Sequence, residues 1–252
     1  MSSGIPWPNL VRLEYAHFDK TGTGLNAAKF NRVFRFREGL ISEYPPCFFA
    51  GDLRKSRFCL LGLNPGHNRK RKDVECRVYR ERGWEQTYLA FFDWFGAEQI
   101  PSPYYSRIAV LLSGLLREKE IPKERKRRFQ LLSENLINLD LIPYHSSGIS
   151  LRIETREQRE LIKPYLVTLI ELVELCKPQI LIINGAAFRP ILKQTGFKER
   201  STIKVNERLN AHIGQCLNSK TVWFDRFITG QSAAVTNREL HSAGKRIKET
   251  IS

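Results

Sequence analysis

Short apolar runs alternate along the chain with segments that carry apolar residues at helical spacing. Each run is followed by turn-forming residues, and apolar runs of this length predict buried strands. The four predicted strands occupy residues 58–63, 136–142, 179–183 and 221–228. The segments between them repeat apolar residues at i, i+3 and i+4, which predicts amphipathic helices. Strands that alternate with helices are typical of a mainly parallel sheet with helices on both faces.

This alternation indicates the α/β class. We expect three layers, α/β/α, around a central and mainly parallel four-stranded sheet. With 252 residues and 42% hydrophobic content the chain can bury one sizeable core, which is ordinary for a single α/β domain. Residues 1–56 precede the first predicted strand, and we expect them to form an irregular to helical preface within one domain, 1–252.

The first predicted strand ends in a stiff turn. Pro65 fixes its own φ, Gly66 can adopt a positive φ, and Gly62 permits close approach of another group. Asn64 is thereby held at the carboxyl end of the strand, which is where open α/β sheets bind ligands. A carboxamide at that place can orient a water or read a base edge. A tight βα turn without a site is the alternative, but we expect all four strand exits to line one cleft.

The charge balance points to a polyanionic partner. The chain has 41 Lys and Arg against 26 Asp and Glu, a net charge of +15, which favours nucleic acid. A generally basic surface is the alternative. A basic run follows the first strand exit and is well placed to hold phosphates, unless it is only a solvated loop. Its members are Arg69, Lys70, Arg71 and Lys72.

The cysteines and the lengths of the apolar runs indicate the cellular compartment in which we expect the protein. The five cysteines are odd in number and never stand in CxxC spacing, which fits a reducing compartment and predicts no zinc site. No charged start with an apolar run follows Met1, and no stretch approaches 18 consecutive apolar residues, so we expect neither a signal peptide nor a membrane span. We expect a monomeric, cytoplasmic protein.

Three segments resemble the uracil-DNA glycosylase superfamily. Gly62-Leu63-Asn64-Pro65-Gly66 is similar to the first motif of its mismatch-specific and single-strand-selective branches, which carry Asn-Pro-Gly where other branches carry a carboxylate. The strand from Leu136 resembles the family's second core strand, whose asparagine reads the flipped pyrimidine, with Asn138 the nearest match. Residues 177–185 resemble the next strand and turn. The resemblance implies a monofunctional DNA glycosylase whose base pocket contains Gly62, Leu63, Pro65, Gly66, Asn138 and Tyr144.

The chain departs from the family at its last motif. His-Pro-Ser is absent, and its expected place reads Thr229-Gly230-Gln231-Ser232. Gln231 or Ser232 would then supply donors to the departing base, while Thr229 and Gly230 would contact DNA. His67 and His145 are candidate replacements for the missing histidine, or else histidines bonded locally in turns. These departures argue against efficient uracil excision and leave room for a bulky modified base, as in phage DNA; some distant members are antiviral glycosylases of that type.

The implied chemistry needs few groups. Hydrolysis of an N-glycosidic bond passes through an oxocarbenium-like sugar while negative charge builds on the base, so hydrogen-bond donors can stabilise the leaving base. Asn64 would aim a water at C1′ once the base is flipped out of the stack. The scheme requires no metal and no organic cofactor.

Two other functions compete with the glycosylase. The first is a non-catalytic nucleic-acid-binding protein that kept the fold. The second is another α/β hydrolase or a nucleotide-binding enzyme, which is disfavoured because the chain has no Gly-rich phosphate loop, no GxSxG elbow and no HxE…CxxC set.

Overall fold

A computed structural model describes residues 4–36, 39–67, 69–146, 153–228 and 233–251. It confirms the α/β class: helices alternate with strands that form one mixed, seven-stranded sheet. The strands are β1 (Phe49–Ala50), β2 (Phe58–Gly62), β3 (Leu136–Asp140), β4 (Ile180–Asn184), β5 (Lys198–Lys204), β6 (Asn210–Cys216) and β7 (Ser219–Phe224). The α-helices are α1 (Asn9–Thr21), α2 (Ala27–Phe34), α3 (Arg69–Leu89), α4 (Phe91–Ala97), α5 (Pro103–Leu115), α6 (Arg125–Asn135), α7 (Arg156–Cys176), α8 (Arg189–Gln194) and α9 (Asn237–Ile251), and Ala186–Phe188 is a 3₁₀ turn.

The four strands predicted from the apolar runs lie side by side at the centre of the sheet. The full order is β1-β3-β2-β4-β7-β6-β5, and the pairs β3–β2, β2–β4 and β4–β7 are parallel. Every residue of β2, β3 and β4 is buried, as expected for strands covered on both faces. The carboxyl ends of four neighbouring parallel strands therefore meet at one edge.

The expected size of the sheet was wrong. Three further strands, β1, β5 and β6, pair antiparallel at its margins. Residues 198–204 read KERSTIK, and five of the seven are exposed while the other two are half-buried, so they give no apolar run to detect. β1 is only two residues long. Edge strands with charged, exposed side chains are typical of sheet margins, and their pattern resembles that of a polar loop.

The amino-terminal preface, residues 1–56, contains helices α1 and α2 and also the edge strand β1. Phe30 of α2 is fully buried and packs edge-on against Tyr144 and Tyr165. The carboxylate of Glu14, on α1, accepts hydrogen bonds from the hydroxyls of both tyrosines. The preface is thus fixed to the exit of β3 and to α7. No helix of the described segments is long and apolar enough to cross a membrane.

Candidate functional site

A cleft of about 760 Å³ opens at the carboxyl ends of the four central strands. Its walls include residues 62–67 after β2, residues 184–187 after β4 and residues 225–227 after β7. β3 contributes Asn138, Asp140 and, in its exit, Ser146. The four strand exits therefore line one cleft, as the parallel topology predicts.

Asn64 stands in this cleft with a fixed carboxamide. Its Nδ2 donates to Ser146 Oγ at 2.8 Å, to the Pro65 carbonyl at 3.1 Å and to the Tyr144 carbonyl at 3.3 Å. Two of these acceptors are carbonyls, so the amide nitrogen must face them. No described residue donates to Asn64 Oδ1, which leaves this oxygen available to a water or a ligand.

The exits of β2 and β3 continue as a hydrogen-bonded pair beyond the sheet. The amides of Leu141 and Ile142 donate to the carbonyls of Gly62 and Leu63 at 3.0 and 2.9 Å. Farther out, the His67 amide donates to the Ser146 carbonyl at 2.9 Å, and the Ser146 amide donates to the Pro65 carbonyl at 3.2 Å. Backbone hydrogen bonds therefore hold the Asn64 turn against the exit of β3.

Asp140 and Asn138 form the polar floor of the cleft. Both side chains are buried, and Asn138 Nδ2 donates to Asp140 Oδ2 at 2.9 Å. A Cβ atom added to Gly62 would lie 2.2 Å from Asp140 Oδ1, so the glycine makes room for this carboxyl. Burial raises the pKa of Asp140 to about 7, against the opposing effects of Arg71 and the Asn138 hydrogen bond. Asp140 can therefore hold or release a proton near neutral pH.

We expect the buried carboxyl of Asp140 to lower the free energy of unfolding at neutral pH. A carboxyl whose pKa is raised on folding destabilises the folded state as pH rises from its unfolded pKa toward about 7. Asp140→Asn removes that cost and keeps an acceptor for Asn138. We expect the advantage of the variant in free energy of unfolding to grow by roughly 2–3 kcal/mol between pH 5 and pH 8. Urea denaturation at both pH values measures it.

Asp73→Asn makes the same change on an exposed side chain of α3 and supplies the baseline. If the Asp140→Asn and Asp73→Asn variants change in parallel with pH, Asp140 does not carry the perturbed pKa.

A buried ion pair supports the Asn64 turn from behind. Arg71 Nε and Glu75 Oε2 are 2.8 Å apart, and Arg71 Nη1 donates to the Gly66 carbonyl at 3.1 Å. His145 Nδ1 donates to the same carbonyl at 3.2 Å. Burial alone would raise the pKa of Glu75, but Arg71 and His145 hold it at about 2. Glu75 is thus a buried carboxylate at the centre of this network.

Two predicted roles are corrected by this network. Arg71 is buried and paired with Glu75, so it is not a free cation for phosphate, although one side of it borders the cleft. His145 is fully buried, stacks on Tyr44 at 3.6 Å and does not line the cleft. Burial lowers the pKa of His145. Its place is behind the turn, where it positions Gly66 rather than contacting a substrate.

Tyr144 is also turned away from the expected base pocket. Its buried hydroxyl bonds Glu14 and Tyr165 on the opposite side of the exit, and only its backbone carbonyl reaches Asn64. Gly62, Leu63, Pro65, Gly66 and Asn138 do line the cleft.

His67 is the second candidate histidine, and the remaining candidates are the basic run and the last-motif residues. His67 borders the cleft, and burial, Lys72 and Arg71 lower its pKa. Arg69 and Lys70 are exposed and Lys72 is half-buried in the first turn of α3, so this part of the basic run is helical. The last-motif candidates lie outside the described residues: Thr229, Gly230, Gln231 and Ser232.

The structure adds residues that the motif search missed. Asn184 ends β4, and its Oδ1 accepts from the Ile228 amide at 2.9 Å, which ties the exits of β4 and β7 together. Tyr104 and Phe227 stack with ring centroids 5.5 Å apart and planes 6° apart, and both line the cleft. Asp140 and Asn184 each interrupt or end an apolar run, and that local signal marks them in the sequence.

The fold and the cleft define an α/β protein with carboxamides and one buried acid at the carboxyl ends of parallel strands. Among the described residues no group of three or more His, Cys, Asp or Glu side chains is arranged to hold a metal ion. A scan against protein-family models finds no match, and a search of curated proteins finds no significant one.

Proposed function

We propose that this protein is a DNA glycosylase of the uracil-DNA glycosylase type, with the three-layer arrangement of that fold. It flips a modified or deaminated pyrimidine into the cleft and hydrolyses its N-glycosidic bond to leave an abasic site. The observation that carries the proposal is the fixed carboxamide of Asn64, whose Nδ2 is occupied by protein acceptors while Oδ1 is available. It stands in one cleft with Asn138 and Asp140.

Asn64 Oδ1 would accept a hydrogen bond from the attacking water and so aim the water oxygen at C1′. Correct placement of a nucleophile supplies a large share of catalysis without a strong base. As the bond to C1′ breaks, negative charge builds on the base, and donors in the cleft stabilise it. His67 is the described histidine that borders the cleft and is our candidate for this role.

The size of the cleft supports a modified base. At about 760 Å³ it is larger than one unmodified pyrimidine requires, so a bulky hypermodified cytosine belongs within the proposal, with a role in antiviral defence. Extrusion of a base costs a few kcal/mol. The stacked rings of Tyr104 and Phe227, the latter 46% exposed, offer an aromatic surface, and stacking returns roughly 1–3 kcal/mol per base.

DNA is the proposed partner, held partly through the exposed cations that open α3. Removing both charges in an Arg69→Gln/Lys70→Gln variant is expected to flatten the slope of log Kd against log salt by roughly 1.4–1.8, because each lost phosphate contact removes about 0.7–0.9. Fluorescence anisotropy across a salt series measures this slope.

The matched control is Arg57→Gln/Lys177→Gln, which removes two exposed charges at the amino ends of β2 and β4. Equal slopes for the two double variants would show that the α3 cations do not bind phosphate.

The test of the function is base release from a panel of oligonucleotides. The panel carries uracil, hypoxanthine, 5-hydroxymethylcytosine or its glucosylated form, and free base is quantified by mass spectrometry. We expect release from at least one substrate with matching alkali-labile sites. Salt-sensitive DNA binding without any free base or abasic site would contradict the enzyme and support the non-catalytic binder.

A further inference from the structure

The floor of the cleft presents a hydrogen-bonding edge with a defined polarity. Asn138 and Asp140 are two residues apart on β3, so their side chains point to the same face. Asn138 Nδ2 is occupied by Asp140 Oδ2 at 2.9 Å, whereas Asn138 Oδ1 is buried and has no hydrogen-bond partner among the described residues. A Cβ atom on Gly62 would lie 3.7 Å from Asn138 Oδ1 and 2.2 Å from Asp140 Oδ1. Both oxygens therefore lie over the glycine.

We propose that Asn138 and Asp140 read the Watson–Crick edge of the flipped base and select a 4-amino pyrimidine, of the cytosine type, over a 4-oxo pyrimidine, of the uracil type. This inference rests on the proposed function and names its substrate class. It follows from the orientation of the Asn138 amide. Its acceptor Oδ1 is available to the ligand, whereas its donor Nδ2 is already bonded to Asp140.

The complementarity can be followed atom by atom. An exocyclic 4-amino group donates to Asn138 Oδ1, whereas a 4-oxo group would place two acceptors face to face. Since Asp140 Oδ2 accepts from Asn138, a proton on Asp140 sits on Oδ1 and can be donated to the unprotonated N3 of cytosine. Uracil carries a hydrogen at N3 and would meet that donor with another donor. Leaving a buried polar atom unpaired is costly, which gives such a site its selectivity.

The surroundings of Asp140 permit the neutral acid. Burial raises its pKa to about 7, Arg71 and the Asn138 hydrogen bond lower it, and Glu75 raises it. Tyr104 and Tyr105 on α5 and Cys47 also interact electrostatically with Asp140. When Asp140 is ionised, Asn138 Oδ1 still matches a 4-amino group and opposes a 4-oxo group. Asp140 Oδ1 then becomes an acceptor that opposes N3 of cytosine and matches the N3 hydrogen of uracil, so the preference for the 4-amino base is greatest when Asp140 is protonated.

The test compares two bases that differ only in this edge. Oligonucleotides carry one 5-hydroxymethylcytosine or one 5-hydroxymethyluracil on a 2′-fluoroarabino sugar, which resists hydrolysis, so binding is measured without cleavage. We expect the wild-type protein to bind the 4-amino base more tightly by roughly 10-fold or more. Equal affinity, a preference for the 4-oxo base or binding to neither would overturn the proposal.

Two variants separate reading of the edge from a merely structural role. Asn138→Leu removes the acceptor, and the preference should fall to within about 3-fold of unity. Asp140→Asn keeps an acceptor toward Asn138 and a donor toward N3, so it should retain the preference. Full preference in Asn138→Leu, or its loss in a folded Asp140→Asn protein, would contradict the assignment.

Failure of the edge selection and failure of the glycosylase proposal give different results. Release of a base by the wild-type protein, together with equal binding of the two analogues, would retain the glycosylase and discard the edge selection. Selective binding of the 4-amino analogue without release of any base from cleavable DNA would retain the edge selection and discard the glycosylase.

Discussion

Replacing Asn64 by alanine is expected to reduce the single-turnover rate of base release by roughly 10²-fold, while the affinity for DNA changes little. The hydrogen bonds of the Asn64 side chain go to Ser146 and two carbonyls, and none goes to the exposed cations of α3. In the proposed function the side chain orients one water through Oδ1, and its direction is fixed because Nδ2 is held by Ser146 and two carbonyls. The variant also loses these hydrogen bonds, so a decrease of about 1–2 kcal/mol in the free energy of unfolding is expected.

Asn64→Asp sharpens this prediction. A carboxylate is a better base than an amide, yet here one of its oxygens would face the carbonyls of Pro65 and Tyr144. Because acceptors would then oppose acceptors, we expect Asn64→Asp to destabilise the turn and to release base no faster than wild type at pH 7. Single-turnover kinetics and thermal denaturation of wild type, Asn64→Ala and Asn64→Asp measure both effects. Faster release by a stable Asn64→Asp protein would show that the turn does not select the amide.

Glu75→Ala is expected to lower the free energy of unfolding by roughly 3–5 kcal/mol, because it leaves Arg71 as a buried, uncompensated charge. Glu75 is fully buried and also accepts hydrogen bonds from the hydroxyls of Tyr44 and Tyr88, each at 2.9 Å. Base release should fall as well, since Arg71 would no longer be held against the Gly66 carbonyl.

The sign of the pH dependence follows from the depressed pKa of Glu75. Its stabilising effect is complete above the unfolded pKa near 4.5 and is lost as pH falls from there through about 2. Chemical denaturation of wild type and Glu75→Ala between pH 2 and pH 7 should therefore give curves that converge at the acid end. The control is Glu98→Ala, which removes an exposed partner of Arg77 and should cost at most about 1 kcal/mol. Equal losses in the two variants would contradict the buried network.

The central strands and the Asn64 turn were predictable because their signals are local. β2 is an apolar run long enough to be recognised without any partner, and Pro65 with Gly66 marks its end. The common cleft followed from topology, since parallel strands place their carboxyl ends at the same edge. β5 and β6 gave no such signal. The residues of β5 are mostly charged and exposed, and the apolar residues of β6 are buried at separate positions, so neither strand contains a continuous apolar run.

The directions of individual side chains depended on partners distant in sequence. Tyr144 turns toward Glu14, which lies 130 residues away. Arg71 would count as one more cation of a basic run, were it not for Glu75 one helical turn later. Asp140 stands in the sequence as one polar residue near the end of an apolar strand. Its importance emerges only where Gly62, on the neighbouring strand, leaves space for its carboxyl.

The proposed function requires that a water placed by Asn64 hydrolyses the bond between a flipped base and its sugar. The most direct measurement counts free base and abasic sites in the same single-turnover reaction, for wild type and for Asn64→Ala, on DNA that contains the hypermodified cytosine of phage genomes and on DNA that contains uracil. We predict equal amounts of the two products from at least one of these DNAs and their near-complete loss in the variant. Undiminished release by Asn64→Ala, or bound DNA that yields neither product, would contradict this claim.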